Sequence, residues 1–328
     1  FVLSHGYLGV QVFFVISGFV MAHSLRRYPL DLRNFGVFAL RRSVRLDPPY
    51  WLAIWCLLAV NIAGNALFTG REVDVPTPLG VVANMFYLDN IVGAKSVVPV
   101  GWTLCLEFQF YLVFFVMLWI AKAPSSEDRP SLDPLTFSRD RALLIFVPVM
   151  MLALCWPAGI FRENLHPGLW LPQWFMFLLG VFSYWSLTTQ RAAQLWFLFF
   201  LGIIGTLAAL NTLGVLSPSN VFVGAFWVGN PASVLWATFC AASLIFVAGK
   251  LGKLESWLSG PVLQYLGRIS YSLYLMHVIT VSRLMSVLAR FGLESAAGSI
   301  LLVLIGLVGT MVGAHLLYIL VELTCVRL

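Results

Sequence analysis

Residues Thr103 to Ala121 read Thr-Leu-Cys-Leu-Glu-Phe-Gln-Phe-Tyr-Leu-Val-Phe-Phe-Val-Met-Leu-Trp-Ile-Ala, 19 residues carrying one charged side chain, Glu107. At the α-helical rise this stretch is about 29 Å long, close to the ~30 Å hydrocarbon core of a bilayer. Runs of the same kind recur near 8–25, 50–68, 142–160, 169–187, 194–213, 231–249, 270–289 and 297–320, so nine spanning segments are expected in 328 residues. Composition agrees, with 60% hydrophobic and 10% charged residues against roughly 45–50% and ~25% in soluble chains. In hydrocarbon every backbone polar group must be paired internally, which leaves helices or closed barrels, and the absence of two-residue alternation excludes the barrel. The expected fold is an all-α polytopic membrane bundle in one domain over residues 1–328.

The connections divide sharply by charge. Segments 26–49, 122–141, 188–193, 250–269 and 321–328 hold 15 of the 20 Lys and Arg residues, which marks them as cytoplasmic. Residue 1 then falls outside, and an odd number of spans with an external start predicts one further helix upstream. The net charge of +6 follows from these arginines and suits an anionic leaflet; it gives no reason to invoke nucleic acid. Cys56, Cys105, Cys155, Cys240 and Cys325 lack paired metal spacing and read as small packing residues, so neither a disulfide nor a metal site is expected. Gly309 and Gly313 form a GxxxG pair suited to close helix packing.

Four groups of residues carry chemistry. Arg41-Arg42-Ser43-Val44-Arg45-Leu46-Asp47-Pro48-Pro49-Tyr50 concentrates cations on a segment capped by Asn34 and ended by the double proline. Arg42 and Arg45 are three apart, hence on one helical face, and paired guanidiniums suit a phosphate or pyrophosphate. The plainer alternative is topology determination alone. Glu107 is an intramembrane carboxylate costing about 2.5–3.5 kcal/mol on insertion scales, and so a functional candidate; with Thr103 one turn away it is expected to look into the bundle, where it could equally be a buried structural group. In Leu266-Gly267-Arg268-Ile269-Ser270-Tyr271-Ser272-Leu273-Tyr274-Leu275-Met276-His277, the i, i+4, i+7 spacing of Ser270, Tyr274 and His277 predicts a polar stripe lining a ligand path. The opening, Ser4-His5-Gly6-Tyr7-Leu8-Gly9-Val10-Gln11, places His5 at the outer surface and an amide, Gln11, inside the first helix. His23, His166 and His315 read as structural.

Together these motifs resemble the acyltransferase family 3 membrane proteins. The shared pattern runs through nearly the whole chain in order: the Gly-Tyr-Leu-Gly-Val to Ser-Gly-Phe opening, the Arg-Arg-x-x-Arg-Leu-x-Pro-x-Tyr block, Trp-Thr-Leu-x-x-Glu-x-x-Phe-Tyr, and Gly-Arg-Ile-Ser-Tyr-Ser-Leu-Tyr-Leu-x-His. The resemblance implies a ten-helix core, nine here and one upstream. It further implies transfer of an acyl group, often acetyl, from cytoplasmic acyl-CoA to a hydroxyl of an extracytoplasmic glycan, lipid-linked glycan or glycosylated small molecule, in a bacterial cytoplasmic membrane. Arg42 and Arg45, with Arg41 beside them, would hold the coenzyme's phosphates, and Glu107, Tyr271 and His277 match core motif positions. The pantetheine arm would thread along Ser270, Tyr271 and Tyr274 toward His277. The family's essential base histidine lies before the Gly-Tyr-Leu-Gly-Val opening and is not in this chain; His5, with a neutral imidazole near pH 7, is the substitute at that end. Two departures stand out: Gln11 replaces a common Asp, and Glu322-Leu323-Thr324 replaces a Glu-Arg-Pro-like tail. A transporter or lipid-translocating protein is the rival reading, since it too needs a polar intramembrane path, although internal repeats are not evident. A non-catalytic receptor or scaffold is the second.

Overall fold

The computed structural model describes residues 3–68, 75–122, 138–161, 171–188, 191–216, 230–280 and 296–327. Among them there is no strand, and the chain is a succession of helices. A 3-10 turn over Leu3–Leu8 leads into α1 (Gly9–Leu25), followed by α2 (Leu32–Phe68), the short α3 (Pro78–Met85) and α4 (Asp89–Val92), α5 (Gly101–Ile120), α6 (Arg139–Leu154), α7 (Trp174–Thr188), α8 (Arg191–Thr212), α9 (Pro231–Lys250), α10 (Pro261–Ile279) and α11 (Ala296–Leu317). A π-helical turn, Tyr318–Glu322, then joins α11 to α12 (Leu323–Arg327).

Six helical stretches are long and apolar enough to cross a membrane: Gly6–Leu25, Leu32–Ala63, Gly101–Ile120, Arg191–Thr212, Pro231–Lys250 and Ile300–Cys325. The expected windows 142–160 and 169–187 hold shorter helices of 16 and 15 residues. The window 270–289 lies only partly within the described residues. The chain is therefore a multi-pass helical membrane protein, with six such spans among the described residues where nine were expected over the whole chain.

The arginine segment departs from expectation. Pro48 and Pro49 do not end regular structure but lie inside α2, a helix of 37 residues. They remove the two amide hydrogens that would bond the Val44 and Arg45 carbonyls, a loss that membrane helices accommodate by finding other donors. The start also differs, because Asp31 rather than Asn34 is the cap: its Oδ1 accepts from the Asn34 amide at 2.8 Å.

By their contacts the helices form two compact units, residues 1–35 with 106–257, and residues 36–105 with 258–328. The first is built around α7, in which every residue from Trp174 to Ser186 is buried, as expected of a helix apolar on all sides. Here α1 and α7 meet backbone to backbone. A methyl group on Gly18 would lie 1.9 Å from the Phe177 carbonyl oxygen, and one on Gly180 2.0 Å from that of Val15. Phe14 and Phe110 both stack on Phe177, at 4.6 and 4.5 Å between ring centroids. In the second unit α10 and α11 pack through Gly313, where an added methyl would sit 2.7 Å from Met276 Cε. The GxxxG reading is thus borne out at its second glycine.

Candidate active site

Helix α10 organises the second unit. Its buried residues are Ile269, Ser272, Leu275 and Ile279, spaced to face α11, and this sets where its polar side chains fall. Ser270 is exposed and its hydroxyl donates to the Gly267 carbonyl at 2.9 Å. Ser272, fully buried, donates instead to Glu322 Oε2 at 2.6 Å. Tyr271 donates to the Leu46 carbonyl of α2 at 2.7 Å, beside the proline pair. Tyr274 is 2.7 Å from Thr103 Oγ1 and 3.3 Å from the Val100 carbonyl.

His277 is half-buried, and its Nδ1 lies 2.5 Å from the Tyr274 carbonyl. A carbonyl can only accept, so Nδ1 carries the hydrogen and the neutral ring keeps its lone pair on Nε2. That is the tautomer a general base needs. The other described histidines differ: His23 is engaged through Nδ1 by Arg26, and His315 through Nδ1 by Tyr265 at 2.7 Å.

Where α10 begins there is a cavity of about 630 Å³, lined among others by Arg45, Gln264, Arg268, Tyr318 and Glu322. Such a volume is in the range of ligand sites. Arg45 and Arg268 give it two cations against one carboxylate. Residues from both sides of the α10 start, Leu258 and Leu263, also line it, and the Gly260 cap makes no side-chain hydrogen bond to the first turn. The positive end of the helix dipole therefore adds to the attraction for an anion. Gly267 lines the same space, and an added methyl there would meet nothing within 4 Å.

The arginine cluster is thus divided. Arg45 reaches the cavity, whereas the Arg42 guanidinium lies 5.7 Å over the Phe38 ring and Arg41 is exposed. The partner of Arg45 is Arg268, from a helix more than two hundred residues further along the chain. Sequence reading missed Arg268 as a site residue although it stood in the quoted motif. It missed Glu322 although an acidic group in an apolar run was the signal used for Glu107.

Glu107 belongs to the first unit. Ser17 donates to its Oε1 at 2.8 Å, Tyr111 donates to the same oxygen, and the two hydroxyls are 2.7 Å apart. With Glu107 only 5% exposed among stacked phenylalanines, this carboxylate ties α1 to α5 inside a dry core. The His5 side chain lies outside the described residues. No group of three potential metal ligands occurs among the described residues.

Two further polar groups shape the second unit. Tyr87 donates to Asp47 Oδ1 at 2.9 Å, stacks on Tyr50 at 5.1 Å and holds a left-handed backbone, φ 60°, a conformation a tyrosine keeps only when its surroundings impose it. Asp89, at the start of α4, is 3% exposed and its Oδ2 has no hydrogen-bond partner among the described residues. Burial pushes its carboxyl above the usual carboxylate range.

A family description, "acyltransferase domain", matches residues 1–319. This chain belongs to that family. Three relatives bear on it. BcsY of Komagataeibacter xylinus, whose name describes a membrane-bound transacylase, is 28% identical over 84% of this chain and 66% of its own. The exopolysaccharide production protein ExoZ of Rhizobium meliloti is 35% identical over 36% of each chain. The O-acetyltransferase OatA of Staphylococcus aureus is 32% identical over 34% of this chain and 20% of its own. The matches thus span under two thirds of each of these relatives. No solved structure matches the chain.

Proposed function

We infer that this acyltransferase moves an acyl group, acetyl by analogy with the O-acetyltransferase relative, from cytoplasmic acyl-CoA to a hydroxyl of an extracytoplasmic glycan or glycolipid. The observation that carries the reading is the order of groups along α10. First comes an anion cavity with Arg45 and Arg268 at the start of the helix, then Tyr271 and Tyr274, then a histidine with its lone pair on Nε2. Arg268 and His277 are nine residues apart, about 14 Å along a helix. An extended pantetheine arm, about four residue-equivalents long, also covers about 14 Å. Phosphates held at the arginines would therefore bring a thioester to the depth of the imidazole along the helix axis, with the arm passing half a turn around α10 on the way.

The acceptor hydroxyl would attack the thioester carbonyl carbon while passing its proton to His277 Nε2. The tetrahedral intermediate then collapses with cleavage of the C–S bond, and the imidazolium returns the proton to the departing thiolate. No net proton is consumed. Tyr274, whose ring lies 5.4 Å from that of His277 between centroids, would supply an O–H donor for the developing oxyanion. Each arginine would grip phosphate through charge-assisted hydrogen bonds.

The test uses the protein in proteoliposomes with labelled acetyl-CoA on the arginine-bearing side and a mixture of oligosaccharides on the other, following labelled ester, with uptake of the oligosaccharides measured in parallel. Ester formation that requires both Arg45 and Arg268 supports the reading. Uptake without ester would replace it with transport.

A further inference from the structure

The anion cavity contains a carboxylate that phosphate recognition does not require and that would repel phosphate. Glu322 is 2% exposed, lines the cavity beside Arg45 and Arg268, and is fixed from behind by the Ser272 hydroxyl, 2.6 Å from Oε2. The hydroxyl fixes one carboxylate oxygen, and the residue fronts the cavity. The π-helical turn Tyr318–Glu322 inserts an extra residue per turn and points Tyr318 and Glu322 into the same space; π turns recur at functional positions.

Position along α10 indicates what Glu322 meets. The anion end is marked by Gln264, Gly267 and Arg268. Ser272, which holds Glu322, is one helical turn beyond Arg268, and the candidate base His277 is farther along the same helix. A ligand with its phosphates on Arg45 and Arg268 and its far end at the level of His277 would place an uncharged section beside Ser272 and Glu322. In an acyl-CoA that section is the pantetheine arm, which carries amide N–H groups and a hydroxyl and bears no charge. A buried acceptor oxygen suits those donors and no part of a phosphate.

We propose that Glu322, held by Ser272, is the specificity residue for the amide-bearing arm of the donor, so that the cavity reads a phosphate end and an N–H donor segment in that order. This rests on the acyl-CoA reading above. The arrangement discriminates against anionic ligands of similar charge that lack such an arm, because they would leave Glu322 desolvated without a donor.

Glu322→Gln tests it by reversing the local polarity. The Ser272 hydroxyl needs an acceptor, so the glutamine turns its carbonyl toward Ser272 and its NH₂ toward the arm, opposing donor to donor. Binding to the purified full chain in nanodiscs is measured by calorimetry with three probes: acetyl-CoA, adenosine 3′,5′-bisphosphate, which has phosphates without the arm, and acetyl-pantetheine, which has the arm without the nucleotide. E322Q should weaken acetyl-CoA and acetyl-pantetheine about tenfold or more, as expected for loss of a hydrogen bond to a charged group. Affinity for the bisphosphate should stay equal or rise. Ser272→Ala should move the same two probes in the same direction by less. If Glu322 is only a counter-charge for Arg45, E322Q changes bisphosphate and acetyl-CoA binding by the same factor, and the proposal fails while the acyl-CoA reading stands. If the wild-type protein binds the bisphosphate but not acetyl-CoA, both fail. Melting temperatures of the variants within a few degrees of wild type keep the comparison between folded proteins.

Discussion

Glu107 and Glu322 are both buried acidic side chains in helices, one in each compact unit, and their surroundings are opposite. Glu107 has Ser17 and Tyr111 converging on a single oxygen in a core closed by backbone-to-backbone contact and stacked phenylalanines. Glu322 has one hydroxyl behind it and a cavity with two arginines in front. The same residue type at similar burial thus serves cohesion in one unit and recognition in the other. What separates them is whether an oxygen is left facing open space, which insertion cost alone does not reveal.

The contrast can be broken most forcefully at His277. His277→Ala should lower the rate of ester formation 10²–10⁴-fold, the usual contribution of a general base, with acetyl-CoA affinity within twofold of wild type. A loss of less than tenfold in kcat would move the base elsewhere. Gly18→Ala tests the closed unit: its new methyl would fall 1.9 Å from the Phe177 carbonyl oxygen, and a loss of about 3 kcal/mol is expected from such overpacking, seen as a lowered midpoint in detergent unfolding. Gly267→Ala, where an added methyl meets nothing within 4 Å, should unfold as wild type does and bind acetyl-CoA more weakly. Equal stability losses at the two glycines would erase the distinction between a packed unit and an open one.

Glu107→Leu comes next in size. It strands the Ser17 and Tyr111 hydroxyls in an apolar core, at about 1–3 kcal/mol of stability, while acetyl-CoA affinity of the folded protein should not change. The smallest effect is expected at Asp89. Because its folded-state pKa is raised by burial, the stability it contributes is complete below the ordinary Asp range and is lost as pH rises through the folded value. Asp89→Asn should therefore raise the melting temperature at pH 7 and change it little at pH 4. A gain at pH 4 equal to that at pH 7 would show that charge is not the cause.

The helical class was legible because apolar runs of bilayer length have few other solutions, and Arg45, singled out from its motif, lines the cavity at the start of α10. Three readings did not transfer. Pro48 and Pro49 signal an end in water, yet α2 continues through both of them, as membrane helices allow. Ser270 was chosen by spacing over Ser272, two positions on and hence about 200° around the helix; which of them is buried depends on where α11 packs, and that is set by contacts such as Gly313 with Met276. The partnership of Arg45 with Arg268 and Glu322 joins three distant segments of chain, and no local spacing encodes it.

The central claim is that the Arg45 and Arg268 cavity holds the phosphates of an acyl-CoA. Calorimetric titration of acetyl-CoA into the nanodisc-embedded protein, wild type against Arg45→Ala and Arg268→Ala, addresses it most directly. The account predicts a Kd raised about tenfold or more by either substitution, the size of one lost charge-assisted hydrogen bond, with the difference shrinking as salt is added. An affinity unchanged in both variants would contradict it.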